Sequence, residues 1–186
     1  VSAAGSDISL QIDSLMASTF TPDAPGGAVM VIQNGEIVFQ KGYGLADVEN
    51  ELPITVDSIF HLGSVGKQFT AMGIMMLVED GLIEYDAPIG SYLPELEWAG
   101  DEVTVRRLLH HISGLLGYDD SDEIYDALVA SADLPTNDDL LNVLAKVGGF
   151  QSDPGEEYSY SNTGYDILGA LIERISGQTY SAFMTD

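Results

Sequence analysis

Val65, Phe69, Ala71, Met72, Ile74, Met75, Met76, Leu77 and Val78 place apolar side chains on nearly every face of a helix running from Ser64 to Asp80. Gly81 follows at the position where a left-handed residue closes such a helix. A helix apolar all round is expected at the centre of a fold, with the rest of the chain wrapped about it. Lys67, one of three lysines in the chain, nevertheless falls in its first turn. A lysine buried there either stays charged, at a desolvation cost on the order of several kcal/mol, or gives up its proton. A neutral amine is what a general base needs. Ser64 lies three residues earlier on the same face, at the helix start, where unpaired N–H groups and the helix dipole favour developing negative charge. The two read as a nucleophile with its base. The plainer alternative is that Ser64 is an N-cap and Lys67 snorkels to the surface.

The flanking sequence supplies the elements that could surround this helix. Ile8, Ile12, Leu15, Met16 and Phe20 recur at helical spacing and predict a first helix over 6–20, with Ser6 or Asp7 as N-cap. Thr21–Gly27 holds two prolines and two glycines that stop it. Asn34-Gly35 favours a type I′ turn, so Ala28–Gln33 and Glu36–Lys41 read as a hairpin. Gly42–Ser58 reads as a surface excursion. Leu82–Gln151 has little strand pattern and reads as mostly helical, with Thr104 capping a helix through Leu109 and Thr136 or Asn137 starting one through Val147. The acidic Asp119–Asp126 stretch reads as solvated loop and helix edge. Pro154-Gly155 makes a turn, Tyr158–Asn162 is extended or loop, and Gly164–Ser176 is an amphipathic helix ending at Gly177.

The expected organisation is therefore 1–60, the helix and hairpin of a sheet domain; 61–178, a helical subdomain; and 179–186, the start of a further helix. A lone hairpin is marginal without more strands beside it. The sheet is thus expected to be unfinished and the chain truncated at its C-terminus, and a second chain could complete the sheet.

Composition narrows the function. The chain has 186 residues, 45% of them hydrophobic, which suffices for a core of one ordinary domain or part of a larger one. It contains no cysteine, which excludes disulfides and thiolate chemistry. Its three histidines, including the adjacent His110 and His111, make a poor metal set, so neither metal nor organic cofactor is expected. A formal net charge of −24 argues against nucleic acid and anionic membranes as partners. It fits either a solvating surface or adaptation to high salt. No apolar run is long enough for a membrane span, and the first residues have no signal-peptide pattern, so any secretion signal is expected to be already removed or never present.

Three segments carry a family resemblance. Phe60-His61-Leu62-Gly63-Ser64-Val65-Gly66-Lys67-Gln68-Phe69-Thr70-Ala71 closely resembles the Ser-x-x-Lys segment of the serine β-lactamase-like family. That family groups class C β-lactamases, D-Ala-D-Ala carboxypeptidases, penicillin-binding-protein-related esterases and D-amino-acid peptidases. Tyr160-Ser161-Asn162, within Pro154–Tyr165, is similar to its Tyr-x-Asn motif, and Leu108–Leu115 to its Leu-Leu-x-His-x-Ser-Gly-Leu segment. The resemblance implies an α/β (α+β) fold of the β-lactamase/transpeptidase type, a sheet flanked by helices plus a helical subdomain.

It also implies roles. Ser64 would attack an amide, β-lactam or ester carbonyl, Lys67 would take its proton, Tyr160 would relay it to the leaving group, and Asn162 would orient the substrate. The substrate would be a small acyl compound or a peptidoglycan-like peptide, and the location extracytoplasmic, periplasmic or secreted. In such proteins the segment holding His110 and His111 is a structural turn near the site, so these residues are expected to orient loops rather than abstract protons. Two departures stand out. The family's third motif, a Lys-[Ser/Thr]-Gly or His-x-Gly on a sheet-edge strand, is not found, which leaves open a non-catalytic fragment or binding protein of the same fold. Gly66 replaces the Ser, Thr or other small residue usual before the lysine, at a helical cost of roughly 1 kcal/mol relative to alanine.

Overall fold

The computed structural model describes residues 3–185 and divides into two compact units at the His61–Leu62 junction. Val1, Ser2 and Asp186 lie outside the described residues, so the expectations for the extreme N-terminus and for the end of 179–186 are not addressed there.

The first unit begins with α1 (Ala3–Thr19). Its backbone is already helical at Ser6 and Asp7, so the expected cap lies inside the helix. A hairpin follows, β1 (Gly27–Gln33) and β2 (Glu36–Tyr43), in antiparallel register from Gly27 opposite Tyr43 to Gln33 opposite Glu36. Asn34 and Gly35 adopt φ 53° and 82°, the two left-handed positions a type I′ turn requires. Asp13 of α1 accepts hydrogen bonds from Lys41 Nζ at 2.5 Å and Tyr43 Oη at 2.7 Å, which tie the helix to β2. The expected surface excursion instead carries a second small pair, β3 (Leu45–Asp47) with β4 (Leu52–Pro53). Gly42 makes room for it, because a Cβ there would stand 2.2 Å from the carbonyl oxygen of Ile54.

The second unit is helical. A 3-10 turn over Gly63–Gly66 leads into α2 (Lys67–Glu79), followed by 3-10 segments at Ile89–Ser91 and Pro94–Ala99. Then come α3 (Val105–Leu109), α4 (Asp122–Ser131), α5 (Asn137–Val147), α6 (Asn162–Ser176) and α7 (Tyr180–Thr185). Side-chain caps set the starts. Thr104 accepts from the N–H of Arg107, Ser121 from Ile124, Ser161 from Gly164, and Thr136 forms a reciprocal capping box with Asp139. α2 ends in a Schellman motif, Leu82 N–H to Leu77 C=O at 3.0 Å and Gly81 N–H to Val78 C=O at 2.9 Å, with Gly81 left-handed at φ 69°.

The core of this unit gathers around α6, whose Ile167, Leu168, Leu171 and Ile172 are fully buried in one cluster with Ile74 of α2, Leu108 of α3 and Leu141 of α5. Each such side chain contributes roughly 1.5–3 kcal/mol by leaving water. Gly73 lets α2 approach closely, since a Cβ there would meet Ile172, Phe183 and Met184 at 3.0 Å.

α2 corrects one expectation. It buries Thr70, Gly73, Ile74 and Leu77, while Phe69, Met72, Met75 and Met76 are each about half exposed. The helix is apolar all round, but α6 and α7 pack on one face of it, and among the described residues the opposite face remains in contact with solvent. No described helix is long and apolar enough to cross a membrane.

Candidate active site

Ser64 sits in the 3-10 turn that Gly63 initiates from a left-handed conformation at φ 54°. Its carbonyl accepts the N–H of Lys67, and neither this turn nor α2 has a side-chain cap, so the hydroxyl is not spent as an N-cap. It accepts a hydrogen bond from Tyr160 Oη at 2.7 Å across 96 positions of sequence.

Lys67 is the first residue of α2 and is half-buried rather than reaching for solvent. Its Nζ donates to Asn162 Oδ1 at 2.6 Å and lies 4.9 Å from the ring centroid of Tyr160 and 5.6 Å from that of Tyr165. The aromatic faces favour a cation at that point while shielding it from water.

The Tyr-x-Asn spacing has a local cause. Ser161 is extended at φ −131°, ψ 123°, so the side chains on either side of it project to one side and its own to the other. Ser161 is buried and caps α6, while Tyr160 and Asn162 face Ser64 and Lys67. Hydrogen bonding to Lys67, and then to Ser64, holds the Tyr160 phenol below its ordinary pKa, which favours the phenolate. All four residues singled out from sequence, Ser64, Lys67, Tyr160 and Asn162, therefore meet in one place within the second unit.

Further residues join them. Asn162 Nδ2 donates to Asp119 Oδ2 at 2.9 Å, which directs the amide oxygen toward Lys67. Asp119 gave no local signal beyond membership of an acidic stretch. Next to it, Tyr118 donates its hydroxyl to Asp166 Oδ2 at 2.8 Å, and its N–H to Thr163 Oγ1 at 3.1 Å. Burial pushes the Asp166 carboxyl above its usual pKa, against the opposing hydrogen bond from Tyr118 and the positive charge of Lys67. Asp166 and Lys67 also line a cavity of ≈ 260 Å³ with Thr70, Asn137 and Tyr180. His111 packs against three tyrosine rings, those of residues 158, 160 and 165. No cluster of metal-ligating side chains occurs among the described residues.

A serine hydroxyl bonded to a phenol of lowered pKa, with an ammonium and an amide beside them, is an arrangement that can deprotonate the serine and stabilise the resulting charge.

The sequence model of the family described as Beta-lactamase matches residues 12–186. The chain is 35% identical over 160 residues to penicillin-binding protein 4* of Bacillus subtilis, covering 85% of this chain and 34% of that protein. Among solved structures it resembles the octameric penicillin-binding protein homologue of Pyrococcus abyssi, at 33% identity and a TM-score of 0.74 over 95% of this chain and 40% of the other. It also resembles the D-amino acid amidase of Ochrobactrum anthropi SV3, at 31% identity and a TM-score of 0.67 over 84% of this chain and 42% of the other. The chain spans about a third of the length of the curated relatives it matches.

Proposed function

The chain belongs to the beta-lactamase family of acyl-transferring serine hydrolases, and from that premise we propose that it forms part of an enzyme that works through an acyl-enzyme on Ser64. The observation that carries the reading is the 2.7 Å hydrogen bond between Tyr160 and Ser64, beside the 2.6 Å bond between Lys67 and Asn162.

In this reading Ser64 Oγ attacks the carbonyl carbon of an amide, β-lactam or ester. Its proton passes to the Tyr160–Lys67 pair. Tyr160 is the member at hydrogen-bonding distance from Oγ, and Lys67 acts by favouring the phenolate. The tetrahedral oxyanion faces the backbone N–H of Ser64, Asn162 orients the substrate, and Tyr160 returns the proton to the leaving group as the C–N or C–O bond breaks. Water then attacks the ester and regenerates Ser64. The relatives' names, a penicillin-binding protein and a D-amino acid amidase, support amide-like substrates such as peptidoglycan-type peptides, and with them an extracytoplasmic location. The acidic composition supports an environment of high ionic strength.

A second reading is a non-catalytic fragment or binding protein of this fold. Intact-protein mass spectrometry after incubation with a fluorescent penicillin and, separately, p-nitrophenyl acetate separates the two. The enzyme reading expects an adduct that Ser64→Ala abolishes. No adduct in folded protein with either reagent selects the second reading.

A further inference from the structure

We propose that His111 is the positioning residue for Tyr160, gripping the chain on both sides of it and supporting its ring, so that the phenol is held on Ser64. The proposal rests on the reading of Ser64 as nucleophile and Tyr160 as its proton partner, and adds a residue that touches neither substrate nor Ser64.

Three contacts converge. The backbone carbonyl of His111 accepts the N–H of Ser159 at 2.9 Å. Its ring Nδ1 accepts the N–H of Ser161 at 3.1 Å. Its ring lies 4.6 Å from the ring of Tyr160, centroid to centroid, at an interplanar angle of 32°. The residues on either side of Tyr160, Ser159 and Ser161, are thus both held through their N–H groups by a single residue, which leaves that tyrosine little freedom to swing. The imidazole also stacks on Tyr165 at 5.0 Å, and Tyr158 meets it edge-on at 5.8 Å, so the clamp is itself held.

Because Nδ1 accepts a hydrogen bond it carries no proton, and the neutral ring has its N–H on Nε2. Burial, then the positive charge of Lys67, then His110 all lower the His111 pKa and favour that neutral form. An imidazolium would present a second donor to the N–H of Ser161. The backbone of His111 is left-handed, φ 58°, a conformation uncommon for non-glycine residues that turns carbonyl and ring toward the same strand of chain. Asparagine tolerates that conformation and places an amide oxygen close to where Nδ1 lies; glycine tolerates it with no side chain at all.

The test compares wild type, His111→Gly and His111→Asn by two readouts. One is the rate of Ser64 acylation by p-nitrophenyl acetate. The other is the titration of the Tyr160 phenol, followed by NMR of ¹³Cζ-labelled tyrosine. His111→Gly is expected to slow acylation about 10- to 100-fold, the effect of a misplaced reacting group, and to return the phenol toward its ordinary pKa. His111→Asn is expected to restore most of both. An unchanged phenol titration in folded His111→Gly overturns the proposal, as does a His111→Asn variant no better than the glycine variant. If His111→Gly does not fold, the wild-type imidazole decides: ¹⁵N NMR is expected to show Nδ1 unprotonated at neutral pH, and a protonated Nδ1 overturns the proposal. If wild type shows no acylation at all, the nucleophile reading fails, and the phenol titration still judges the positioning role independently.

Discussion

Asn162 and Asp119 are joined by a 2.9 Å hydrogen bond that decides which end of the Asn162 amide faces Lys67. With Nδ2 committed to the Asp119 carboxylate, Oδ1 is left to accept from the ammonium. Without Asp119 the amide can flip and set donor against donor.

Asp119→Ala is therefore expected to slow Ser64 acylation about tenfold, the worth of one hydrogen bond near 1–1.5 kcal/mol. Stability should change by less than about 0.5 kcal/mol, because Asp119 is exposed. Asp119→Asn, which keeps an acceptor, should lie between the two. Stopped-flow acylation beside thermal unfolding checks this, and an Asp119→Ala rate equal to wild type would remove Asp119 from the site.

Tyr160→Phe deletes the hydroxyl that meets Ser64 and leaves the ring over Lys67. A lost proton-transfer partner typically costs about 10²- to 10⁴-fold in rate, and that range is expected for acylation, with an unfolding midpoint close to wild type. A rate within about threefold of wild type would instead assign the proton to Lys67 alone.

Asp166 supplies a pH-dependent prediction. Burial raises its folded-state pKa above the unfolded value, so the folded state holds the proton more tightly than the unfolded chain does. Its contribution is fully favourable below the unfolded pKa of 3.8 and is lost as pH rises through the raised folded value. Asp166→Asn removes the charge and keeps an oxygen for Tyr118. It should leave stability near wild type at pH 4 and raise it at pH 7 by on the order of 1 kcal/mol. Urea unfolding at the two pH values measures the difference; a variant weaker at pH 7 than at pH 4, relative to wild type, runs against the prediction.

The charge of −24 predicts a response to salt. Self-repulsion among like charges is screened over roughly 10 Å at 0.1 M salt and roughly 3 Å at 1 M. The unfolding midpoint should therefore climb as KCl is raised from 0.1 to 2 M, more steeply than in sucrose, which does not screen. Equal effects of the two solutes would leave the acidity as a solvating surface and nothing more.

How much of this was visible beforehand depended on distance along the chain. Asn34-Gly35, the caps at Thr104 and Thr136 and the stop at Gly81 act on their own neighbours, and the hairpin and helices begin or end as those residues dictate. α6 starts two residues earlier than periodicity suggested, at Asn162, because Ser161 is its cap. Ser64, Lys67, Tyr160 and Asn162 were legible because their residue types and spacings resemble family motifs. Asp119, Tyr118 and Asp166 were not, since each acquires its role from a partner more than 40 positions away. The exposed face of α2 was missed for a related reason: hydrophobicity records which residues could be buried, and only packing records which are.

The bond between Ser64 and Tyr160 closes a span of 96 positions, the greater part of the helical unit. Closing a loop of that length costs entropy that increases only slowly with length, but nothing local rewards it until α2 has docked on α6. If Ser64 is the nucleophile as proposed, its partner arrives only with that long-range docking, and an unfolded or partly docked chain carries Ser64 as an ordinary alcohol. Reactivity at that single hydroxyl becomes a reporter of folding itself: recovery of the acylation rate after dilution from denaturant should lag behind recovery of helical circular dichroism.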